Sequence, residues 1–145
     1  MNTPQKWQYS FTEPGKEWYK KGNSGKWISG NGPFGIKQMN TPEVNTIWEN
    51  SGLYLQKDFN IKAVPNRVSI VTYNTGYTDI YINGEFAVQI YNLKRLDSEL
   101  KVSEVLLPEK AMKLLKPGIN HLSVKFAFNP SDQPFNFFDI GIKEY

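Results

Sequence analysis

Cysteine is absent from the 145 residues, and histidine occurs once, at His121. Without thiols there are no disulfides, no thiolate metal sites and no cysteine nucleophile. A single histidine removes His-based metal clusters as well. Arginine is also scarce, with two Arg against fifteen Lys, although the net charge is +3 and the pI near 9.0. Recognition of phosphates and bases leans on the arginine fork, so no nucleic-acid partner is expected. No apolar run approaches the ~18 residues of a membrane span, and no membrane insertion is expected. Met1 to Tyr9 holds one Lys and no apolar block, which does not read as a signal peptide.

Aromatic residues are abundant: four Trp, eight Tyr and nine Phe make up 14% of the chain. With 39% hydrophobic and 21% charged residues, the composition is that of a folded chain rather than a disordered tail. The length suits one domain spanning 1–145. Residues 1–52 carry Pro14-Gly15, Gly22-Asn23, Gly30-Asn31-Gly32-Pro33 and Thr41-Pro42, all turn signals. Short strands are expected there at 7–11 and 34–37, joined by long ordered loops. From residue 53 the pattern becomes regular. Leu53, Leu55, Phe59 and Ile61 share one face, with Lys57 as the exception, and Tyr54, Gln56, Asp58 and Asn60 take the other. Segment 67–73 is apolar on both faces. Segment 78–83 aligns Ile80 with Ile82, and Asn83-Gly84 then leads to Phe86, Val88 and Ile90 on one face, a strong hairpin signal. Residues 109–116, after Pro108 and before Pro117-Gly118, predict a short helix. Strands follow at 122–128 and 137–143, with Leu122, Val124, Phe126 and Phe128 on the inner face of the first. This pattern predicts a β-sandwich or barrel with one minor helix.

No pair of carboxylates, nucleophile with a base, or metal cluster has a recognisable spacing. His121 falls on the polar face after the Pro117-Gly118 turn, where a solvent-facing or edge histidine is expected. Gly30, Gly32 and Gly35 do not form a phosphate loop, because no long strand and helix flank them. The tryptophans carry more information. Trp7 and Trp27 are expected to pack, Trp27 under a glycine-rich turn. Trp18 and Trp48 lie in polar loops, as lids over the core or as platforms for a flat ligand.

The order of motifs resembles the galactose-binding-domain-like jelly rolls attached to bacterial glycoside hydrolases, including the sugar-binding domain of the family 2 enzymes. The resemblance runs from Trp7 through Trp27 and Gly32-Pro33-Phe34-Gly35 to Ile47-Trp48 and the strand Leu53 to Phe59. It continues through Asp79-Ile80-Tyr81-Ile82-Asn83-Gly84, similar to that family's hairpin, and Leu115-Lys116-Pro117-Gly118-Ile119-Asn120-His121-Leu122. It closes on Phe138-Asp139-Ile140-Gly141-Ile142. The chain departs from the family at Gln56-Lys57, where relatives often carry Arg. The resemblance implies an all-β jelly-roll sandwich and no catalytic residues. Its implied role is a carbohydrate-binding or accessory module working beside a catalytic domain. It also implies a periplasmic or extracellular setting, within an exported parent, and admits a structural calcium whose ligands are not assigned. The alternative from another class is a purely structural module that packs against a neighbouring domain or subunit and binds no sugar.

Strand counting from the Asn83-Gly84 turn gathers loops 38–52, 74–77, 91–99 and 129–135 at the opposite end of the sandwich. They carry Trp48, Glu49, Asn74, Tyr77, Tyr91, Arg95 and Asp132 as candidate carbohydrate-binding residues. A sugar stacks its C–H face on a ring and directs its hydroxyls to amides and charges. The bland reading of the same cluster is a set of loop residues fastening the sandwich end.

Overall fold

The computed structural model describes residues 5–36, 43–73, 76–92, 102–127 and 137–145. The chain forms a β-sandwich. The strands are β1 (Lys6–Ser10), β2 (Ile28–Asn31), β3 (Phe34–Gly35), β4 (Thr46–Ile47), β5 (Gly52–Ile61), β6 (Val68–Tyr73), β7 (Gly76–Ile82), β8 (Glu85–Asn92), β9 (Val102–Leu106), β10 (Gly118–Ala127) and β11 (Phe137–Glu144). One sheet has six strands in the order β2-β1-β5-β10-β7-β8, and the other has five in the order β4-β3-β11-β6-β9. All pairings are antiparallel except β3 with β4.

Side-chain alternation decides which residues meet between the sheets. β5 and β10 are the long central pair of the first sheet. Leu53 and Leu55 from β5, and Leu122, Val124 and Phe126 from β10, are almost wholly buried against Ile70, Phe138 and Ile140 of the second sheet. Trp7 joins the same core, as its strand position predicts. Phe128 lies outside the described residues.

The hairpin expected at Asn83-Gly84 is present. Asn83 has φ 52° and Gly84 φ 83°, the left-handed pair a type I′ turn requires. The strand after it departs from simple alternation. A β-bulge lets Ile80 pair with Val88 while Tyr81 pairs with Phe86. The extra residue shifts Phe86 off the core face; its side is 54% exposed, whereas Ile90 stays buried. The helix is shorter than expected, α1 covering Glu109–Met112 with Pro108 at its N-cap. It gives way to three-residue turns at Leu114 and Leu115. The cause is downstream: Asn120 takes both the N–H and the C=O of Lys116 at 3.0 and 2.8 Å. The following Pro117 also disfavours helical backbone at Lys116.

The two ends of the sandwich fall where strand counting puts them. Gly52 pairs with Ala127 and Ala127 with Tyr77 at one end. At the other, the Asn83-Gly84 turn meets the chain entering β10, where Asn83 N–H donates to the His121 carbonyl at 2.8 Å. β2, β4 and β9 have no counterpart in the sequence expectations; each is short or sits at a sheet edge.

Candidate functional site

The outer face of the six-stranded sheet is not a bare solvated surface. Tyr54, Gln56 and Asp58 of β5 point outward, as do His121, Ser123 and Lys125 of β10 and Tyr81 of β7. Loop 11–27, between β1 and β2, lies across them. Trp18 is buried under this strap, its ring 5.1 Å from Tyr54 and 5.3 Å from Tyr81, both edge-on. Tyr19 stacks on Tyr81 at 4.6 Å and its carbonyl accepts a hydrogen bond from Ser123 Oγ at 3.0 Å. Trp18 is therefore a lid on the sheet, and not a platform.

Asn23 fastens the strap. Its Nδ2 donates to the carbonyls of Trp18 and Lys20 and to Gln56 Oε1, at 3.0, 2.8 and 3.0 Å. Its Oδ1 accepts from Gly25 N–H at 3.0 Å and Trp27 Nε1 at 2.8 Å. Gln56 Nε2 in turn donates to Gln8 Oε1 at 2.6 Å. A Cβ at Gly25 would lie 2.6 Å from Pro14 Cβ and 2.8 Å from Trp27 Nε1, so the strap closes only around a glycine. Asn23→Ala removes these bonds together. It is expected to cost about 1–3 kcal/mol, since hydrogen bonds contribute ~1 kcal/mol each and do not add fully. Urea denaturation measures the loss, and a shift in tryptophan emission reports release of Trp27.

Beside this network opens a shallow cleft of about 790 Å³. Trp27, half-buried, lines it with Gln8, Asn23, Gln56, Asp58 and His121, and with Lys6, Lys21 and Lys57. His121 is 6% exposed, so the solvent-facing position expected of it is corrected: the strap and Asp58 cover it. Its Nδ1 lies 2.8 Å from Asp58 Oδ1, and Asp58 Oδ2 is 3.3 Å from Lys21 Nζ. His121 Nε2 is buried without a hydrogen-bond partner among the described residues. Burial pushes the Asp58 carboxyl up, but hydrogen bonds to His121 and Lys21, and the charge of Lys21 beside it, outweigh it and hold the pKa below the ordinary carboxylate value. A lowered carboxyl stabilises the fold above its unfolded pKa of about 3.9 and loses that contribution as pH falls through the folded value. The stability gap between wild type and Asp58→Asn is thus expected above about pH 5 and to close toward about pH 3, as urea midpoints across that range will show.

The residues singled out from the sequence fare unevenly. Trp48 is fully buried, with Nε1 donating to the Gly52 carbonyl at 2.9 Å and its ring edge-on to Phe126 at 5.5 Å. It offers no ring face to a ligand; of its two sequence readings the lid is the one that fits. Glu49 is exposed beside it. Tyr77 and Tyr91 face each other across β7 and β8 and stack at 4.5 Å. Asn74, Arg95 and Asp132 lie outside the described residues. Trp27, expected in the core, stands instead at the cleft. Among the described residues no group of three or more acidic or histidine side chains comes together to hold a metal ion, so the implied calcium gains no ligand set from them. The cleft residues escaped the sequence reading because loop 11–27 gives no sign of which strand it crosses.

Fold and outer face together define a β-sandwich domain with one sheet face strapped by an aromatic and amide-rich loop. No protein-family model matches the chain, and no curated protein matches it. Solved structures do. The chain is similar to part of the β-glucuronidase of Ruminococcus gnavus in complex with D-glucuronic acid, at 17% identity and a TM-score of 0.57, over 91% of this chain and 22% of that one. It is similar to part of the Bifidobacterium dentium β-glucuronidase complexed with coumarin-3-O-glucuronide, at 17% identity and a TM-score of 0.56, over 86% and 19% of the two chains. The chain thus spans about a fifth of these glycoside hydrolases, and what it shares with them is the fold.

Proposed function

We propose that this chain is a non-catalytic accessory domain of a glycan-processing enzyme, and that it binds carbohydrate in the cleft beside Trp27. The observation that carries the reading is the fixed indole of Trp27 beside the linked amides of Asn23, Gln56 and Gln8. A saccharide needs such a pairing of ring surface with directed polar groups. The likeness to a fifth of two β-glucuronidases supports an accessory role beside a catalytic domain. A glycan array, run with and without calcium and followed by calorimetry, tests it. Saturable binding is expected, weakened about tenfold or more in Trp27→Ala, a change of ~1.4 kcal/mol. Trp27→Ala also removes the Nε1 bond to Asn23, so binding is measured well below the variant's own melting temperature. Silence across plant, host and microbial glycans would overturn the reading.

One observation favours the structural alternative. Ile28 and Ile47, on the edge strands β2 and β4, are 58% and 53% exposed. Thr46 Oγ1 bonds the Asn31 carbonyl at 2.7 Å, which brings these two edges together. Exposed apolar residues on these two edge strands suit packing against a neighbouring domain.

A further inference from the structure

The β7–β8 hairpin turns a phenylalanine outward where plain alternation would bury it. The bulge sets Phe86 opposite Tyr81 on the outer face of the six-stranded sheet and leaves it 54% exposed. A bulge that re-aims an apolar side chain forfeits burial, and such bulges concentrate beside binding sites. Phe86 is not alone there. Its ring meets Tyr81 edge-on at 5.7 Å, and Tyr81 carries the stacked Tyr19 of the strap. Toward the far end of the same two strands, Tyr91 is 40% exposed and stacks on Tyr77. Tyr77 and Tyr81 stand four residues apart on β7, a span of about 13 Å. Between these aromatic pairs lies a polar row. Gln89 Nε2 donates to Asp79 Oδ1 at 2.8 Å, and Lys125 of β10 is the register partner of Asp79 on its other side. No ion pair joins Lys125 to a carboxylate among the described residues. One carboxylate and one ammonium leave the row without net charge.

We propose that this outer face of the β7–β8 hairpin is a second carbohydrate surface, which takes an extended, uncharged polysaccharide chain. The chemistry follows the layout. Sugar rings lay C–H faces on Phe86 at one end and Tyr91 at the other. Their hydroxyls both donate and accept, and the row between offers both roles: carboxylate and amide oxygens from Asp79 and Gln89, and N–H groups from Lys125. A nucleic-acid strand would need an excess of positive charge along the row, and the row has none. This surface and the Trp27 cleft lie on one sheet face, on either side of loop 11–27. The proposal rests on the reading of this chain as a glycan binder, and adds a separate surface and an extended ligand. It also gives the bulge a use, since without it Phe86 would face the core.

Calorimetry on the 145-residue chain tests it with neutral polymers: xyloglucan, mixed-linkage β-glucan, galactomannan and β-1,4-galactan. At least one should bind, and about 0.5 M salt should leave its affinity unchanged. Phe86→Ala should weaken that polymer about tenfold or more. Phe86→Tyr, which keeps the ring, should bind as the wild type does, and Gln89→Ala should weaken binding several-fold. All variants are measured well below their own melting temperatures. Binding that Trp27→Ala abolishes and Phe86→Ala leaves intact overturns the second surface and keeps the cleft. Binding that Phe86→Ala abolishes and Trp27→Ala leaves intact keeps the surface and overturns the cleft. Silence from all these polymers overturns the surface, while the glycan array decides on the cleft by itself. Tighter binding of oligo-dT than of any polymer overturns it in favour of a nucleic-acid strand.

Discussion

Trp48→Ala is expected to destabilise the domain by about 3–5 kcal/mol, the range for truncating a fully buried large aromatic. Three losses coincide. The ring leaves a cavity at the sandwich end, its edge contact with Phe126 disappears, and the Gly52 carbonyl loses its Nε1 donor. Gly52 opens β5, so the damage falls where the central strand pair starts. Chemical denaturation should show a lower midpoint at unchanged slope. A platform tryptophan would behave oppositely, losing ligand affinity with the stability unchanged. Trp48→Phe, which keeps a ring but not the donor, should recover more than half of the loss.

Asn120→Ala should cost about 2–4 kcal/mol, because it strands several buried polar groups at once. Asn120 is fully buried in the strand β10. Its Oδ1 accepts from Lys116 N–H and from Asn83 Nδ2, both at 3.0 Å, and its Nδ2 donates to the Lys116 carbonyl at 2.8 Å. Asn83 meanwhile donates to the Leu114 carbonyl at 2.8 Å and accepts from His121 N–H at 2.8 Å. The two asparagines thus lock the β7–β8 turn to the turn that enters β10. Asn83→Gly keeps the left-handed backbone while removing the side chain. The double variant with Asn120→Ala should be less destabilised than the sum of the singles, by about 0.5 kcal/mol or more, since contacting residues are not additive. Additive losses would show that the two turns act separately.

This pair explains how much of the fold was legible. Asn83-Gly84 and the Pro117-Gly118-Ile119-Asn120 turn are both local signals, readable because a left-handed turn and a proline-glycine break constrain the residues allowed. Alternation along 53–61 and 122–127 made the central strands legible in the same way. That the two asparagines bond each other is a tertiary fact, and no local pattern states it. The bulge that displaces Phe86 was illegible because Glu85 to Ile90 still reads as a plain alternating run. His121 was misread for a related reason. Its position on the outward side of β10 was right, but a loop a hundred residues earlier covers that side. Trp27 was expected in the core and Trp48 was left between lid and platform, because loop tryptophans carry no periodicity and burial depends on what the loop crosses.

The pairing of β5 with β10 also sets the order in which the domain can form. Ile61 waits for Gly118 and Gly52 for Ala127, and in the second sheet β3 and β6 both wait for β11. Such a topology has high contact order, and loop closure precedes most of the stabilising contacts. On the ribosome the first hundred residues would emerge with β5, β6 and β7 lacking their central partners. Their exposed edges would then be open to pairing with other chains. Nascent chains stalled before β10 should therefore remain protease-sensitive and aggregation-prone, and protection should arrive in one step once β11 has cleared the exit tunnel.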